Sequence, residues 1–326
     1  MKVLLTGASG QLARLAAIQL LAEGHDVVGM DVRRRPHPDV QAPFEYVKRY
    51  DHRTVAEVFR EHRPDAMIHL GVRAGGFQAE AKSRYTQNVL GTRHLLELSV
   101  KHRLRRVIVL GTFHVYGAHP HNPTFLAEDA PLRAVQTFPE LQDVVELDHT
   151  VTSFLWRHRD VPTVLLRPAN MVGPHLRNQV SVLLRGPYCP RLIGFNPMMQ
   201  FIHESDVVDA VVRMLDHDGC GIYNIAGEGA VPWSRAIATS GARPLPLPTW
   251  LAYPGVRVLA KLQTAFPAHL MDFFRYPVIV SDQAIRRELG WAPRVNVVDT
   301  LRSIDDIPAD AGSRAAAFEG SRPLGL

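Results

Sequence analysis

An alternation along the chain limits the fold more than any other feature. Short β-branched apolar runs, "KVLLTG", "DVVGMD", "AMIHLG" and "RVIVLGT", are separated by segments of helical periodicity, "QLARLAAIQLLAEG", "TVAEVFREH" and "TQNVLGTRHLLELSVKH". Strands that read as continuous apolar runs are buried on both faces, and the amphipathic helices between them supply the cover. The pattern therefore predicts βαβ units in a doubly wound parallel sheet of the α/β class. "PTVLLRPAN" adds another strand after a helix expected to carry residues 137 to 149.

The pattern fills residues 1–170 and resumes in 203–227, where "DVVDAVVRMLD" and "GIYNIAG" read as a helix and a strand returning to the sheet. Residues 171–202 and 228–304 are rich in Pro, Arg, Met and aromatics with weak periodicity, which predicts a smaller, loop-rich substrate lobe; 305–326 read as a tail. Arginine dominates the formal charge of +5. The basic runs at 33–35 and 101–106 lack interleaved aromatics, so they read as solvated faces and no nucleic-acid partner is expected. Cys189 and Cys220 match neither a disulfide framework nor a metal-ligand spacing, so no metal site is expected. The N-terminus begins as a strand and no run of about 18 apolar residues occurs, so the expectation is a cytoplasmic protein with no integral membrane segment.

"LLTGASGQLA" sets Gly7 and Gly10 at a strand-to-helix turn, followed by Gln11 and Leu12. Missing Cβ atoms let a backbone approach a pyrophosphate, and the helix N-terminus supplies N–H donors, so this is a Rossmann-type dinucleotide turn. The second strand ends at Asp31, 24 residues after Gly7, where a carboxylate accepts ribose hydroxyls and repels a 2′-phosphate. NAD is thus expected over NADP, although Arg33, Arg34 and Arg35 follow and offer a phosphate clamp.

The chain resembles an extended short-chain dehydrogenase/reductase of the NAD-dependent epimerase/dehydratase group. The resemblance rests on "TGASGQLA", "YDHRT", "IHLG", "NVLGT", "VIVLGTFHVYG", "LRPANMVGP", "FIHESDVVDA", "IYNIAG" and "RELGWAP", and runs from residue 1 to about 304. It implies cofactor contacts from Gly7, Gly10, Gln11, Leu12, Asp31, Arg33, Asp51, His52, Leu70, Gly71, Asn88, Gln142, Pro168 and Ala169. It also implies a small-molecule substrate near His175, Arg177, Met199 and Phe201, and is compatible with a homodimer.

The chain departs from that pattern in the stretch "TFPELQDVVELDH". The family carries Tyr-x-x-x-Lys on a helix there; aligned on Glu146, this sequence has Phe138 and Gln142. The Tyr serves as general base because neighbouring positive charge lowers its pKa, and neither Phe nor Gln can do this. Thr112 holds the position of the family's Ser/Thr, four residues before Tyr116, and His114 lies between them, so Thr112, His114 and Tyr116 are the candidate catalytic set. Asp143 and Glu146 are further acids on the helix. Met199 stands where nucleotide-sugar enzymes of the group carry a diphosphate-binding Arg, while Arg177, Arg185 and Arg191 offer replacement cations. Two readings follow: an oxidoreductase or isomerase with a non-standard catalytic set, acting on a small and more apolar substrate, or a catalytically silent dinucleotide-binding protein.

Overall fold

The computed structural model describes residues 1–73, 81–252 and 270–306. Its centre is a seven-stranded parallel sheet of β1 (Lys2–Thr6), β2 (Asp26–Asp31), β3 (Phe44–Tyr46), β4 (Ala66–His69), β5 (Arg106–Leu110), β6 (Thr163–Pro168) and a late strand, Gly221–Ile225, in the spatial order β3-β2-β1-β4-β5-β6 and then the late strand. The chain builds outward from β1 on one side and restarts with β4 on the other. The crevice at the carboxyl ends of β1 and β4 is therefore the topological switch point, where ligands of such sheets bind.

Strand residues alternate between two cores. Val3 and Leu5 of β1 face one side with Ala13, Ala16 and Ala17 of α1 (Gln11–Ala22), whereas Leu4 faces the other with Phe59 of α2 (Thr54–His62). After α3 (Ala81–Tyr85) and α4 (Thr92–Lys101), the chain reaches α5 (Ala134–Thr137) and α6 (Gln142–Arg157). The small side chains of α1 allow close contact with the helix Glu204–Arg213 across one face; α2, α4 and α6 cover the opposite face. A third apolar cluster lies in residues 172–304 and includes Met199, Phe201, Trp233 and Phe274, with the Trp233 and Phe274 rings stacked at 4.8 Å.

One sequence expectation is corrected. Residues 137 to 149 do not form one helix, because Pro139 disfavours helical backbone at the residue before it and Phe138 adopts φ −134° and ψ 94°. The chain then runs through a 3₁₀ turn, Pro139–Leu141, before α6 starts at Gln142.

α6 is tied to the sheet by a buried ion pair. Arg167 of β6 donates from Nε and Nη2 to the two carboxylate oxygens of Asp148, both at 2.8 Å, and from Nη1 to Tyr116 Oη at 2.7 Å. Both charged residues are almost fully buried. Removing one partner should therefore cost far more than removing both. Asp148→Leu is expected to destabilise by about 3–5 kcal/mol by leaving the guanidinium unpaired, and Asp148→Leu with Arg167→Met to recover most of that. Urea midpoints of the two variants check this; equal losses would mean that the pair is not the anchor.

Candidate functional site

The site begins with the glycine turn after β1. Gly7 has φ +73°, and a Cβ there would lie 2.7 Å from Gly71 N, so only glycine allows the β1 and β4 ends to meet this closely. Gly10 N–H donates to Gly7 O at 2.8 Å and closes the turn. α1 starts without a side-chain cap and without an acid in its first turn, leaving its leading N–H groups to an anion. Gln11 is exposed and Leu12 half-buried at this end. A Cβ-free cradle at an uncapped helix N-terminus fits a pyrophosphate.

Beneath the turn lies Tyr50, fully buried, whose importance was not legible in the sequence. Its Oη accepts the Gly7 N–H at 2.9 Å. A Cβ on Gly71 would fall 2.5 Å from the Tyr50 hydroxyl and one on Gly91 2.8 Å from the Tyr50 Cβ, which explains the glycines of "IHLG" and "NVLGT". Beside it, His69 bridges Thr6 Oγ1 at 2.6 Å and Thr92 Oγ1 at 2.9 Å.

Asp31 closes β2 as expected, but its carboxylate is already engaged. Oδ2 accepts from Ser9 N–H at 2.8 Å, Oδ1 from Arg33 N–H at 2.9 Å, and the Arg33 guanidinium lies 3.2 Å from Oδ2. A ribose reaching Asp31 therefore has to displace the Arg33 side chain, which is half exposed. Asp51 pairs with Arg49 at 2.9 Å, and His52 Nδ1 accepts the Thr54 N–H at 3.3 Å at the start of α2. Leu70 N–H donates to Thr6 O, keeping Leu70 and Gly71 at the crevice, and Pro168 and Ala169 end β6 with Ala169 N–H donating to Ile225 O at 2.8 Å. Asn88 is committed elsewhere: its amide exchanges hydrogen bonds with the Arg73 backbone at 2.8 and 2.9 Å and donates to Asp143 at 2.6 Å. Asp143 is also paired with the buried Arg84, so it is a structural acid.

The proposed catalytic set separates. Thr112 caps the turn after β5, and its Oγ1 lies 2.8 Å from His114 Nδ1 and accepts the His114 N–H. The His114 ring packs 4.4 Å from Phe113 and 4.8 Å from Phe273. Tyr116 is a correction: it is fully buried, donates to Asn224 Oδ1 at 2.8 Å and accepts from Arg167, and burial raises its hydroxyl pKa. It supports the core and is not positioned to carry protons. Phe138 is half-buried against the core, and exposed Gln142 donates to Glu146 at 2.6 Å.

The substrate expectations also divide. Met199 and Phe201 are buried in the third apolar cluster. Trp250 is largely exposed and Phe266 lies outside the described residues. Arg185 is spent on the carbonyls of Gly173, Pro174, Leu176 and Ile304, and burial pushes its pKa down to about 10. Arg177 is exposed and Arg191 half-buried. His175 is exposed and its Nδ1 lies 2.5 Å from Glu204, a buried acid the sequence reading overlooked. Glu204 also accepts the Leu176 N–H at 3.0 Å, and a Cβ on Gly173 would sit 2.4 Å from its carboxylate carbon. That close approach is the reason for the glycine in "VGPH".

Comparisons with known proteins agree with this architecture. The model of the NAD dependent epimerase/dehydratase family matches residues 3–226. An uncharacterized protein of Mycobacterium tuberculosis is 28% identical over 331 residues, spanning 96% of this chain and 82% of its own. The 3-diazoavenalumate denitrifying reductase of a Streptomyces species is 26% identical over 313 residues, spanning 90% and 96%. The crystal structure of Thermus thermophilus UDP-glucose 4-epimerase in complex with NAD is similar with a TM-score of 0.74 at 20% identity, covering 94% of this chain and 98% of that one.

The buried imidazole beneath the crevice gives a test by pH. Burial pushes the His69 pKa down to about 4, while an unfolded His titrates near 6.5. Between those values the unfolded chain binds a proton and the folded chain does not, so stability falls as pH drops through this window, by on the order of 3 kcal/mol in total. Denaturant unfolding at about pH 7 and about pH 4.5 should show this loss in the wild type and a smaller one in His69→Gln. The same loss in both proteins would assign it to other groups.

Proposed function

The chain belongs to the NAD dependent epimerase/dehydratase family, and from that premise we propose that it is an NAD-binding enzyme in which the Thr112–His114 pair, not a tyrosine, handles the proton. The observation that carries the reading is the 2.8 Å contact between Thr112 Oγ1 and His114 Nδ1 at the carboxyl end of β5. When bound, the nicotinamide accepts or gives a hydride. This chain's residues then have to move a proton on or off the substrate oxygen. Thr112 would hydrogen-bond that oxygen and pass the proton to the His114 imidazole. Phe138 has no exchangeable proton, and its extended backbone puts it outside the helix that starts at Gln142.

Several features support the remaining parts of the proposal. Gly7, Gly10 and the open start of α1 would hold the pyrophosphate. Asp31 at the end of β2 would take the ribose hydroxyls and favour NAD over NADP. The substrate would be small and less polar than a nucleotide sugar, bound with help from residues 171–202 and 228–304. Arg185 is not free for a diphosphate, and Met199 supplies no cation where the family resemblance places an arginine. Relatives of comparable identity differ widely in named activity: one is a 3-diazoavenalumate denitrifying reductase and another, at 24% identity, is the UDP-glucose 4-epimerase of Mycolicibacterium smegmatis. One observation favours the silent alternative, namely that the Phe113 and Phe273 rings pack on His114 as they would on a core residue.

Two measurements separate these readings. Calorimetry should show NAD binding that exceeds NADP binding and a loss of that preference in Asp31→Ala; equal or tighter NADP binding would mean that Arg33 governs the site. With a panel of small carbonyl compounds and alcohols, turnover followed by nicotinamide absorbance should fall about 10²–10⁴-fold in His114→Gln and in Thr112→Val, with cofactor affinity unchanged. Wild-type turnover in His114→Gln would remove the imidazole from the chemistry. Cofactor binding with no turnover across the panel would favour the silent alternative.

A further inference from the structure

The amino edge of the sheet carries a second feature. Chain segments entering β4 and β5 surround a recess of about 500 Å³ lined by Arg60, Arg63, Arg103 and Arg105 together with His102 and Asp65. β4 has four residues at about 3.3 Å each, so the recess lies roughly 13 Å or more from the crevice at the other end of those strands. It is a separate place on the molecule.

Helix C-termini attract cations, and that alone would account for a basic residue or two at the ends of α2 and α4. It does not account for the backbone. Arg63 (φ +46°) and Arg103 (φ +53°) are the only non-glycine residues with positive φ among the described residues, and both line this recess. Helices commonly end in this left-handed conformation, but with glycine, because a Cβ there is strained. Both positions are hydrogen-bonded into place, Arg63 N–H to Phe59 O and Arg103 N–H to Val100 O, each at 3.0 Å. Here the same strained choice is made twice, on neighbouring segments, and both times it adds a guanidinium to one cavity.

Among the described residues, none of these four arginines forms an ion pair with a carboxylate. The acid in the lining, Asp65, accepts the Lys2 N–H at 2.8 Å, and its carbonyl accepts the Arg105 N–H at 2.8 Å, so it fastens the two entry segments together. His102 Nε2 is buried without a hydrogen-bond partner. Four exposed guanidiniums around a concave space exceed what one phosphate needs, and forked donors suit several phosphate oxygens in a row.

The structure assigns to this recess an anion-binding site for a small oligophosphate, held by Arg60, Arg63, Arg103 and Arg105. The shared chemistry is a chain of phosphate groups, whether free or on a nucleotide. A concave volume of this size favours a small molecule over a nucleic-acid strand, which would need a longer basic track and stacking aromatics.

The test is isothermal titration of the full chain at low ionic strength with inorganic triphosphate, ATP, orthophosphate and a short single-stranded RNA. Triphosphate should bind at least about tenfold more tightly than orthophosphate, and ATP no more weakly than triphosphate if the phosphate chain is the determinant. Arg63→Gly with Arg103→Gly removes two charges and relieves the left-handed strain, so the unfolding midpoint should hold or rise while triphosphate affinity falls at least tenfold. Asp31→Ala should leave ATP binding as it is, whereas a nucleotide held in the crevice would lose its ribose contact there, which separates this recess from the crevice. The proposal is overturned if triphosphate gives no binding, if the double glycine variant binds it as well as the wild type does, or if ATP alone binds and is lost in Asp31→Ala. Tighter binding of the RNA than of triphosphate would likewise overturn it in favour of a nucleic-acid surface.

Discussion

The packing of Tyr50 against three glycines sets the geometry on which the candidate site depends. A phenol ring fills the space between the ends of β1 and β4, so Gly71 and Gly91 can carry no side chain, and its hydroxyl takes up the Gly7 N–H that a left-handed turn would otherwise leave buried. The turn is thereby fixed from below while its upper surface, with the first N–H groups of α1, stays open. His69 adds a second fixed point between Thr6 and Thr92, held neutral by burial. A phosphate cradle of this kind is rigid because its support is a packed aromatic core and not a flexible loop.

A second set of buried polar groups links α6 to the elements around it. Asp148, Arg167, Tyr116 and Asn224 form one connected chain of hydrogen bonds, and Asn224 continues it to the carbonyls of Leu126 and Ser281. Every member is satisfied, the condition under which such a network stabilises a unique arrangement. The same network removes Tyr116 from chemistry. Its hydroxyl holds an arginine and an asparagine in place, which leaves Thr112 and His114 as the polar side chains at the end of β5.

Much of the fold was legible because it rests on periodicity. β4, β5 and β6 are buried at every residue, and the apolar runs at their centres point to this, although buried His69, Arg106 and Arg167 lie at or near their ends. The glycines of the turn were legible for the same kind of local reason. Tyr50 and Glu204 were not, because their importance depends on contacts with residues far along the chain: Gly71 and Gly91 for one, Gly173 and His175 for the other. The packing of Met199 and Phe201 was not legible either, because an apolar, weakly periodic segment reads alike whether it lines a pocket or fills a small core; the two share a cluster with the stacked Trp233 and Phe274. The helix across 137 to 149 was misread even though Pro139 was visible, because the expectation came from the family pattern and not from the local rule for the residue before proline.

That misreading bears on what residues 138 to 146 can do chemically. The family resemblance aligns Phe138 and Gln142 with a Tyr and a Lys on one helix. In this chain the two positions do not share a helix: Phe138 is extended, a 3₁₀ turn follows, and α6 opens at Gln142, whose amide is turned to Glu146. Glu146 in turn hydrogen-bonds Tyr85 and raises its hydroxyl pKa, so its carboxylate is bound to two neutral groups. A lysine at 142 would lie beside that carboxylate, and a tyrosine at 138 would project from non-helical backbone. The separation of positions 138 and 142 is thus set by main-chain geometry, and the Thr112–His114 contact is the polar pair that stands at the end of β5.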